Sequence, residues 1–435
     1  MTDPAFDLAA VEQRISTLIA DEQATQIVLR FFAELQSRTA RRLADGTVFL
    51  ITGDIPAMWL RDSAAQLMPL LRIGAGPQAE DFAIAVLRRQ LEYVLLDPYA
   101  NAFNPEPNGA GHRKDVAEVR RSAWVWERKY EVDSLCYPLL LAYRVWRRYG
   151  RADIFDARFW QAVGRTLELW ETEQDHENKS RYRFRRRPVL RRSTLARGGR
   201  GPEVAVTGMT WSGFRPSDDA SRYGYNVPGN LFASVVLGRI SEIAEAPALA
   251  LAPDPHLIAR AKRLRAEIDA GIRAHAVIDD PDTGPRWAYE VDGRGGVLEM
   301  DDANIPSLLA LPLIGYCRAD DPVYRATRTF VLSERNPFFY RGSAASGVGS
   351  PHTPRRHAWP IAIAAAGLTS SDPADKRAVI DTLLATHAGT TRIHESFHVD
   401  RPTSWTRGWF SWAEAMFCEL VLDYCGYRHP DVEPA

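Results

Sequence analysis

The feature that most restricts what this chain can fold into is a unit that recurs along its length. Each copy has a loop rich in charged and aromatic residues, then a very apolar helix, a turn and an amphipathic helix. About six copies follow one another at intervals of roughly 55–85 residues, and they share this pattern without sharing sequence. Long alternations of polar and apolar residues, which a large sheet needs, are scarce. The chain is therefore expected to be mainly helical.

A ring of helical hairpins satisfies this pattern, because the apolar helices can lie inside and the amphipathic helices outside. The sequence thus predicts an all-α fold, an (α/α)6 barrel of six helical hairpins, with residues 1–435 forming a single domain. In such a toroid the N-termini of the inner helices face one end, where residues distant in sequence converge. We expect the functional site at that end.

The apolar periodicity also predicts individual helices. Helices are expected over residues 8–44, 80–96, 154–174 and 254–275, and an apolar inner helix is expected to begin at Leu308.

Residues 176–206 interrupt the repeat and contain nine arginines between Arg181 and Arg200. Nucleic-acid binding would use such a cluster. The neighbouring acids, Glu171, Glu173, Asp175 and Glu177, instead favour a solvated loop insert whose charge is balanced locally.

The composition excludes several classes of protein. The net charge is −1, with 46% hydrophobic and 25% charged residues, so no global field attracts nucleic acid or a membrane surface. No apolar run approaches the ~18 residues of a membrane helix, and the first residues lack the features of a signal peptide. Four cysteines lie in apolar contexts without metal-binding spacing, which favours buried thiols and a cytoplasmic location.

Residues 52–63, Thr-Gly-Asp-Ile-Pro-Ala-Met-Trp-Leu-Arg-Asp-Ser, place Asp54, Trp59, Arg61 and Asp62 immediately before an apolar helix. A polar cluster beside a buried helix is costly unless its groups are paired or used in binding. The cluster can consist of helix caps and ion pairs that stabilise the fold, or it can form one wall of a site for a polyhydroxylated ligand. The segment alone leaves both interpretations open.

Acidic residues and tryptophans accumulate in the loops that precede the predicted inner helices. An indole face packs on the C–H face of a pyranose, and cleavage of a glycosidic bond needs one carboxylic acid and one carboxylate. Most of these acids are expected to cap helices or pair with cations, and two to be catalytic. The acids are Asp54, Asp62, Glu131, Asp133, Asp218, Asp219, Asp301, Asp302 and Glu395, and the tryptophans are Trp59, Trp211, Trp359, Trp405, Trp409 and Trp412.

One motif competes with this interpretation. His394-Glu395-Ser-Phe-His398 fits the H-E-x-x-H pattern of zinc peptidases, which places both histidines on one face of a helix. The threonines before it and Pro402 after it argue against a helix there. A zinc peptidase is retained only as an alternative, and Glu395 remains a catalytic candidate without a metal.

Six motifs together resemble glycoside hydrolase family 125, in that family's order. They span residues 45 to 425, and six collinear blocks are much more specific than any one of them. The blocks are Thr-Gly-Asp-Ile-Pro-Ala-Met-Trp-Leu-Arg-Asp-Ser from Thr52, Tyr-Glu-Val-Asp-Ser from Tyr130, Trp-Ser-Gly-Phe-Arg-Pro-Ser-Asp-Asp-Ala from Trp211, Met-Asp-Asp-Ala-Asn-Ile-Pro-Ser from Met300, His-Glu-Ser-Phe from His394, and Thr-Arg-Gly-Trp-Phe-Ser-Trp from Thr406.

The resemblance implies an (α/α)6 barrel and an exo-acting α-mannosidase that prefers α-1,6 links, inverts configuration and needs no metal or cofactor. The implied partner is a mannose-containing oligosaccharide or glycan, with no nucleic acid or membrane, and the implied state is a monomer or weak oligomer. Two further alternatives stay open: an (α/α)6 hydrolase of different sugar specificity, and a non-catalytic glycan-binding protein.

The resemblance also implies residue roles. The general acid is Asp218 or Asp219, with a slight preference for Asp218, and the general base is Glu395. Twelve residues are expected to bind substrate: Asp54, Trp59, Arg61, Asp62, Glu131, Asp133, Trp211, Arg215, Asp302, Asn304, His352 and Arg407.

Overall fold

The structure, a computed structural model, describes residues 6–112, 115–116, 122–187, 192–247, 249–429 and 431. Helices dominate it. They are α1 (Ala9–Leu18), α2 (Glu22–Glu34), α3 (Leu60–Ala65), α4 (Met68–Ile73), α5 (Gly76–Leu96), α6 (Val132–Tyr149), α7 (Ala157–Glu173), α8 (His176–Lys179), α9 (Ala196–Gly199), α10 (Val227–Ala244), α11 (Pro255–His275), α12 (Pro322–Val331), α13 (Pro360–Leu368), α14 (Pro373–Ala385) and α15 (Ser411–Tyr424), with a π-helical turn at Leu35–Thr39 and a 3-10 turn at Ala152–Ile154.

Short strands join the loops between the helices, so the all-α expectation is correct only for the main body of the fold. The strands form two- and three-stranded antiparallel sheets, and none exceeds six residues. They are β1 (Ala40–Arg42), β2 (Val48–Leu50), β3 (Met58–Trp59), β4 (Ala102–Phe103), β5 (Asp115–Val116), β6 (Val125–Glu127), β7 (Arg185–Arg186), β8 (Tyr225–Asn226), β9 (Val277–Asp280), β10 (Gly284–Trp287), β11 (Glu290–Val291), β12 (Val297–Leu298), β13 (Phe339–Arg341), β14 (Ser346–Val348), β15 (His357–Ala358), β16 (Ser396–His398) and β17 (Arg401–Thr406).

The most buried helices pack side by side at the centre. α3 packs against α6 and α6 against α10, while α13 packs against α15, which in turn contacts α3 and α4. The amphipathic helices lie outside them, with α5 on α6, α11 on α10 and α14 on α13. This arrangement of paired helices is of the mostly helical (α/α) type. Within the described part of the chain, no helix has the length and apolarity needed to cross a bilayer.

The expected inner helix at Leu308 is not formed, and Pro312 within the stretch has no backbone N–H to donate to a helix. A buried carboxylate holds the first N–H groups of the segment. Asp301 accepts hydrogen bonds from the N–H groups of Leu308 and Leu309, each at 2.9 Å. Burial raises the pKa of Asp301 to about 8, although these N–H groups favour its ionised form. The segment continues as a series of buried turns between α10 and α12.

The single helix expected over residues 8–44 is divided into several elements. Ala20 has a φ of 53°, and Asp21 then caps α2 by accepting a hydrogen bond from the N–H of Ala24 at 3.0 Å. The chain leaves the helix through the π-helical turn and pairs as β1 with β2. The other expected helices agree with α5, α7 and α11 to within a few residues.

The described part of the Arg-rich insert supports local charge balance. Arg197 pairs with Glu177 at 2.7 Å, and Arg200 pairs with the same carboxylate at 3.2 Å. Arg186 lies in β7 and pairs with Asp115 at 2.5 Å. Residues 188–191 of the insert lie outside the described residues, as do residues 1–5, on which the absence of a signal peptide was argued.

Candidate active site

A cavity of about 380 Å³ opens where several inner helices begin. The start of α3 and the segment before it form one side, and the residue before α13 and the first residues of α15 form another. Loops that precede α6 and α10 complete the wall. The lining residues are Thr52, Ile55, Trp59, Arg61, Asp62, His112, Glu127, Lys129, Arg186, Pro216, Ser217, Asp218, Asn304, His352, Trp359, Glu395, Arg407, Phe410 and Trp412.

Arg61 organises the floor of this cavity. It lies in the first turn of α3, and its guanidinium contacts Glu131 at 2.7 Å and Asp133 at 3.0 Å. Both carboxylates belong to the start of α6, so the ion pairs hold two inner helices together. Burial opposes the charge of Arg61, but Glu131 and Asp133 raise its pKa well above the ordinary value. The guanidinium therefore stays a fixed cation beneath the cavity.

Asp62 lies beside Arg61 and faces the cavity with an unsatisfied oxygen. Its carboxyl is 5% exposed, and its Oδ2 atom has no hydrogen-bond partner. Burial raises the pKa of Asp62 to about 6, against the opposing charges of Arg61 and Arg407. An unpaired buried oxygen in a cavity is costly unless a ligand hydroxyl supplies the missing hydrogen bond.

Asp218 projects into the cavity from the loop before α10. Its φ of 66° is in the left-handed region, and its Oδ1 accepts a hydrogen bond from the Asn101 side chain at 3.1 Å. The same oxygen lies 4.0 Å from both Arg61 and Lys129. Burial raises the pKa of the Asp218 carboxyl. The charges of Lys129 and Arg61 and the neighbouring side chain of Glu131 lower that pKa by more, so its net shift is downward.

Asp219, its neighbour, is positioned differently. It is 3% exposed, does not line the cavity and lies 3.0 Å from Nδ1 of His352. Burial lowers the pKa of His352, but Asp219 more than compensates, so the net direction is up. His352 also interacts electrostatically with Asp218 and Glu395, which places it between the two candidate catalytic carboxylates.

Glu395 faces the cavity from the residue before β16. The hairpin of β16 and β17 returns the chain so that Arg407 lies 3.5 Å from the Glu395 carboxylate. Arg407 also binds Asp54, and its Nη2 donates to the Thr52 hydroxyl at 3.1 Å. Asp54 itself does not line the cavity and acts by holding Arg407. The Arg407 guanidinium thus joins the opening motif, residues 52–63, to Glu395, the second catalytic candidate.

The H-E-x-x-H motif does not form a zinc-peptidase site. Ser396 to His398 are a strand paired with β15 and β17, whereas that site requires a helix. The two ring nitrogens of His394 lie 3.2 Å from the Arg407 carbonyl and 2.9 Å from the Thr390 hydroxyl. Its ring stacks on Trp405 at 4.2 Å. The zinc-peptidase alternative therefore lacks its structural basis.

Two predicted sugar contacts lie outside the cavity lining. Trp211 is fully buried and stacks on His176 at 3.7 Å, because the glycines at 201 and 224 leave room for its ring. The Nε atom of Arg215 donates to the buried carboxylate of Glu290 at 2.5 Å. These two residues hold the loop that carries Asp218 from behind the cavity lining, and their expected role in substrate binding stays a prediction.

Three other predicted contacts lie just behind the wall. Asp302 is completely buried and accepts hydrogen bonds from Asn304, which does line the cavity. Glu131 and Asp133 are also buried at the start of α6. All three lie behind residues that line the cavity, and their expected contact with substrate stays a prediction.

The sequence interpretation missed a charged part of the cavity wall beside Asp218. Lys129 and Arg186 both pair with Glu127, at 3.6 Å and 2.5 Å, and His112 lies 3.5 Å from the same carboxylate. Glu127 and Lys129 belong to a polar segment resembling the opening motif, which is the signal that could have indicated them. Arg186 comes from the insert and has no such local signal.

Several buried polar atoms at this cavity lack a protein hydrogen bond. They are Nε1 of Trp59 and Oγ of Ser217, together with Nε of Arg61 and Oδ2 of Asp62, which lie 3.5 Å apart as an ion pair. Native proteins leave few buried polar atoms without a hydrogen bond. Their position beside aromatic faces suits a ligand that carries many hydroxyl groups on an apolar ring.

A second cavity, of about 410 Å³, lies at the opposite ends of the inner helices. Several arginines and a lysine line it, and buried carboxylates form ion pairs with them. Arg72 binds Glu419 at 2.7 Å and Asp423 at 3.1 Å, and Lys376 binds Asp423 at 2.6 Å. It presents no pair of catalytic candidates.

Comparison with known proteins decides the family. The model of the family described as metal-independent alpha-mannosidase (GH125) matches residues 21–422. The chain belongs to glycoside hydrolase family 125. This family 125 enzyme is therefore a glycoside hydrolase and an α-mannosidase.

Its relatives agree along the whole chain. One similar structure is that of a metal-independent alpha mannosidase from Streptococcus pneumoniae, in a non-productive complex with alpha-1,6-mannobiose. Its sequence is 48% identical to this chain, and the match covers 97% of this chain and 98% of the other. The TM-score between the two structures is 0.93. The Meiotically up-regulated gene 157 protein of Schizosaccharomyces pombe is 38% identical over 96% of this chain and 86% of that protein. A bacterial glucoamylase complexed with acarbose shares the fold alone, with a TM-score of 0.61 at 13% identity over 95% of this family 125 enzyme and 57% of the glucoamylase.

Proposed function

We propose that this α-mannosidase releases terminal, non-reducing α-1,6-linked mannose with inversion of configuration. The observation that carries the proposal is that Asp218 and Glu395, from loops far apart in sequence, face one cavity whose buried polar atoms lack partners. A structure that is 48% identical to this chain carries alpha-1,6-mannobiose, which supports the linkage. The natural partner is accordingly a mannose-containing oligosaccharide or glycan.

Asp218 is proposed as the general acid because it lines the cavity, whereas Asp219 lies beside His352 and behind the wall. Glu395 is proposed as the general base. Arg407, 3.5 Å away, lies close enough to orient the Glu395 carboxylate. Asp62, Arg61 and Asn304 are the proposed hydroxyl-binding groups, and Trp59 the proposed packing face.

The reaction then needs two proton transfers. Asp218 donates a proton to the glycosidic oxygen as the bond between that oxygen and the anomeric carbon breaks. Glu395 accepts a proton from a water whose oxygen attacks the opposite face of that carbon. Inversion requires room for this water, so the two carboxyl groups are expected about 6.5–9.5 Å apart in the substrate complex.

The finer architecture and setting belong to the same proposal. We assign the paired helices to one closed (α/α)6 barrel with the site at the inner-helix N-termini, a single catalytic domain, and a monomer or weak oligomer. The cysteines at 136, 317, 418 and 425 are unpaired, which supports the cytoplasm as the location. Nucleic acid and membranes are not among the proposed partners.

Proton NMR of the first product tests the mechanism. The enzyme is incubated with α-1,6-mannobiose, and the anomeric signal of the released mannose is followed before mutarotation. Inversion predicts β-mannose as the first product. Initial α-mannose would show retention and reject the paired acid–base assignment, and the absence of mannose release would reject the linkage.

A further inference from the structure

The ammonium group of Lys129 lies at the cavity without a hydrogen bond to the part of the protein that the structure describes. The side chain is 4% exposed and lines the cavity. Its Nζ atom lies 3.6 Å from Oε2 of Glu127 and 4.0 Å from Oδ1 of Asp218, and both distances are longer than a hydrogen bond. A buried ammonium is costly unless its three N–H donors are used. These donors are therefore available to a ligand in the cavity.

The surroundings of Lys129 hold it in this position. Oε1 of Glu127 accepts a hydrogen bond from the Asn101 side chain at 3.0 Å, and Oε2 accepts one from Arg186 at 2.5 Å. The Glu127 carboxylate is thus fixed by other donors and does not close on Lys129. The Nζ atom also lies over the Phe214 ring, 5.3 Å from its centre. The ammonium is therefore held between a fixed anion and an aromatic face, beside the cavity.

The position of Lys129 beside Asp218 places it on the leaving-group side of the scissile bond. Because Asp218 is the proposed acid, the glycosidic oxygen lies about 3 Å from its carboxyl when the proton is transferred. In an inverting reaction the attacking water and the leaving oxygen occupy opposite faces of the anomeric carbon. The sugar attached to the leaving oxygen therefore extends away from Glu395, along the wall beside Asp218.

We propose that Lys129 is a specificity-determining residue that donates hydrogen bonds to hydroxyl groups of the leaving sugar. This inference rests on the proposed function, because it takes Asp218 to be the general acid. It adds the substrate class: an oligosaccharide whose second residue presents hydroxyl groups next to the scissile bond, in preference to an α-mannoside of a simple alcohol.

The charge of Lys129 also acts on Asp218, and this effect is separable from the proposed contact. Burial raises the pKa of Asp218, and the charge of Lys129 is the largest influence that lowers it. Removal of the charge therefore changes proton donation to every substrate. Removal of a contact with the leaving sugar affects only ligands that contain this sugar.

Isothermal titration of wild type and Lys129→Met measures the contact. Methionine keeps most of the apolar stem but has no N–H donor. The ligands are mannose, which fills the terminal-sugar pocket alone, and the uncleaved sulfur-linked analogue of α-1,6-mannobiose, which also carries the leaving sugar. We expect the Kd of the analogue to rise at least about tenfold, because a hydrogen bond from a charged donor is lost. The Kd of mannose should change less than about twofold.

Turnover gives an independent measurement with two substrates that both release an alcohol. α-1,6-Mannobiose releases a sugar and methyl α-mannoside releases methanol, so both leaving groups need a proton. A change in Asp218 alters the two rates alike, whereas only the disaccharide can lose a contact with Lys129. We expect kcat/KM of Lys129→Met to fall at least about tenfold further on the disaccharide than on methyl α-mannoside.

Lys376→Met is the matched control. The Lys376 side chain is also largely buried, at 10% exposed, and it pairs with Asp423 at 2.6 Å at the opposite ends of the inner helices. This variant should leave the ratio of the two affinities and the ratio of the two rates unchanged. If Lys129→Met folds poorly, Lys129→Gln, which removes the charge and shortens the side chain, decides by the same two ratios.

Three results overturn the proposal: equal losses on both ligands, no loss on the disaccharide, and a wild type that binds the analogue no more tightly than mannose. If the analogue binds through Lys129 as expected but wild type does not cleave α-1,6-mannobiose, the proposed function fails while the contact with the second sugar stands.

Discussion

At the scale of single residues, adjacent carboxyls are assigned to different tasks by backbone geometry. The left-handed φ of Asp218 turns its side chain into the cavity, while Asp219 points to His352. A non-glycine residue in this region costs about 1 kcal/mol, and such strain is concentrated at functional sites. The positive φ thus agrees with the proposed catalytic role of Asp218.

Glu395→Gln tests the base directly. The glutamine cannot accept a proton from water, so we expect kcat on α-1,6-mannobiose to fall about 1,000-fold. Mannose binding should persist, because the ring of hydroxyl-binding groups is intact. Steady-state kinetics and isothermal titration with mannose measure the two effects. Turnover within tenfold of wild type would remove Glu395 from the chemistry.

Asp62→Asn should bind mannose more weakly than wild type but have a higher free energy of unfolding. The folded pKa of Asp62 is about 6, above the ordinary value of about 3.9, so folding disfavours its ionised form. This penalty is present above pH 6 and disappears below about pH 4. The variant should therefore gain up to about 3 kcal/mol relative to wild type between pH 4 and pH 8.

Thermal unfolding of both proteins at several pH values measures this difference, and mannose titration measures the expected loss of affinity. A stability difference that does not change with pH would show that Asp62 is not held above its ordinary pKa.

At the scale of elements, the site depends on a contact between the opening motif and the hairpin that carries Glu395 and Arg407. Gly53 forms a β-bridge with Phe410, and the N–H of Ser411 donates to the Thr52 carbonyl at 3.0 Å. The N–H of Asp54 donates to the Trp409 carbonyl at 3.3 Å. These bonds place Asp54 where it can bind Arg407.

Gly53→Ala should disrupt that contact. Gly53 has a φ of 126°, and an added Cβ would lie 2.5 Å from the Trp409 carbonyl oxygen. Gly46, at a φ of 81°, has nothing within 4 Å of the same atom. We expect Gly46→Ala to cost about 1 kcal/mol and Gly53→Ala to cost at least about 3 kcal/mol, with reduced kcat. Chemical unfolding and steady-state kinetics compare them, and equal effects would contradict the proposed role of this contact.

Elements were predictable where local signals specify them. Asp372 caps α14 by accepting from the N–H of Ala374 at 2.8 Å, and an aspartate directly before a proline is a signal of a helix start that the sequence itself carries. The turns after Ser307 were mistaken for a helix because the apolar pattern is the same, and only the fold brings the Asp301 carboxylate to their N–H groups. The preference for Asp218 over Asp219 stays a prediction, and the sequence alone could not strengthen it because the contact of Asp218 with Asn101 spans 117 positions.

At the scale of the whole molecule, a buried ion cluster joins α4 to α15, so the first and last inner helices are held together. Arg72 contacts Glu419 and Asp423, and His429 lies 2.9 Å from Glu419. Burial opposes ionisation of Glu419, but Arg72 and His429 lower its pKa to about 2. The recurring pattern of the sequence predicts this ring-like arrangement, but it does not indicate which charged residues close it.

Arg72→Leu should be strongly destabilising, because the buried carboxylate of Glu419 loses its arginine partner and Asp423 keeps Lys376 but loses Arg72. The expected cost is about 3–5 kcal/mol. Arg165→Ala removes an exposed arginine that pairs with Glu168 at 3.4 Å, and should cost less than about 1 kcal/mol. Unfolding midpoints in denaturant compare the two. A small effect of Arg72→Leu would show that α15 is held by apolar packing alone.

The β-bridge between Gly53 and Phe410 also has a consequence for biosynthesis. Trp59 and Asp62 leave the ribosome well before Glu395, Arg407 and Trp412, which lie more than 300 positions later in the chain. A growing chain that has not reached Arg407 therefore lacks both the proposed base and the guanidinium beside it, however much of the remainder has already folded. Activity during synthesis should appear only after Phe410 has emerged and paired with Gly53.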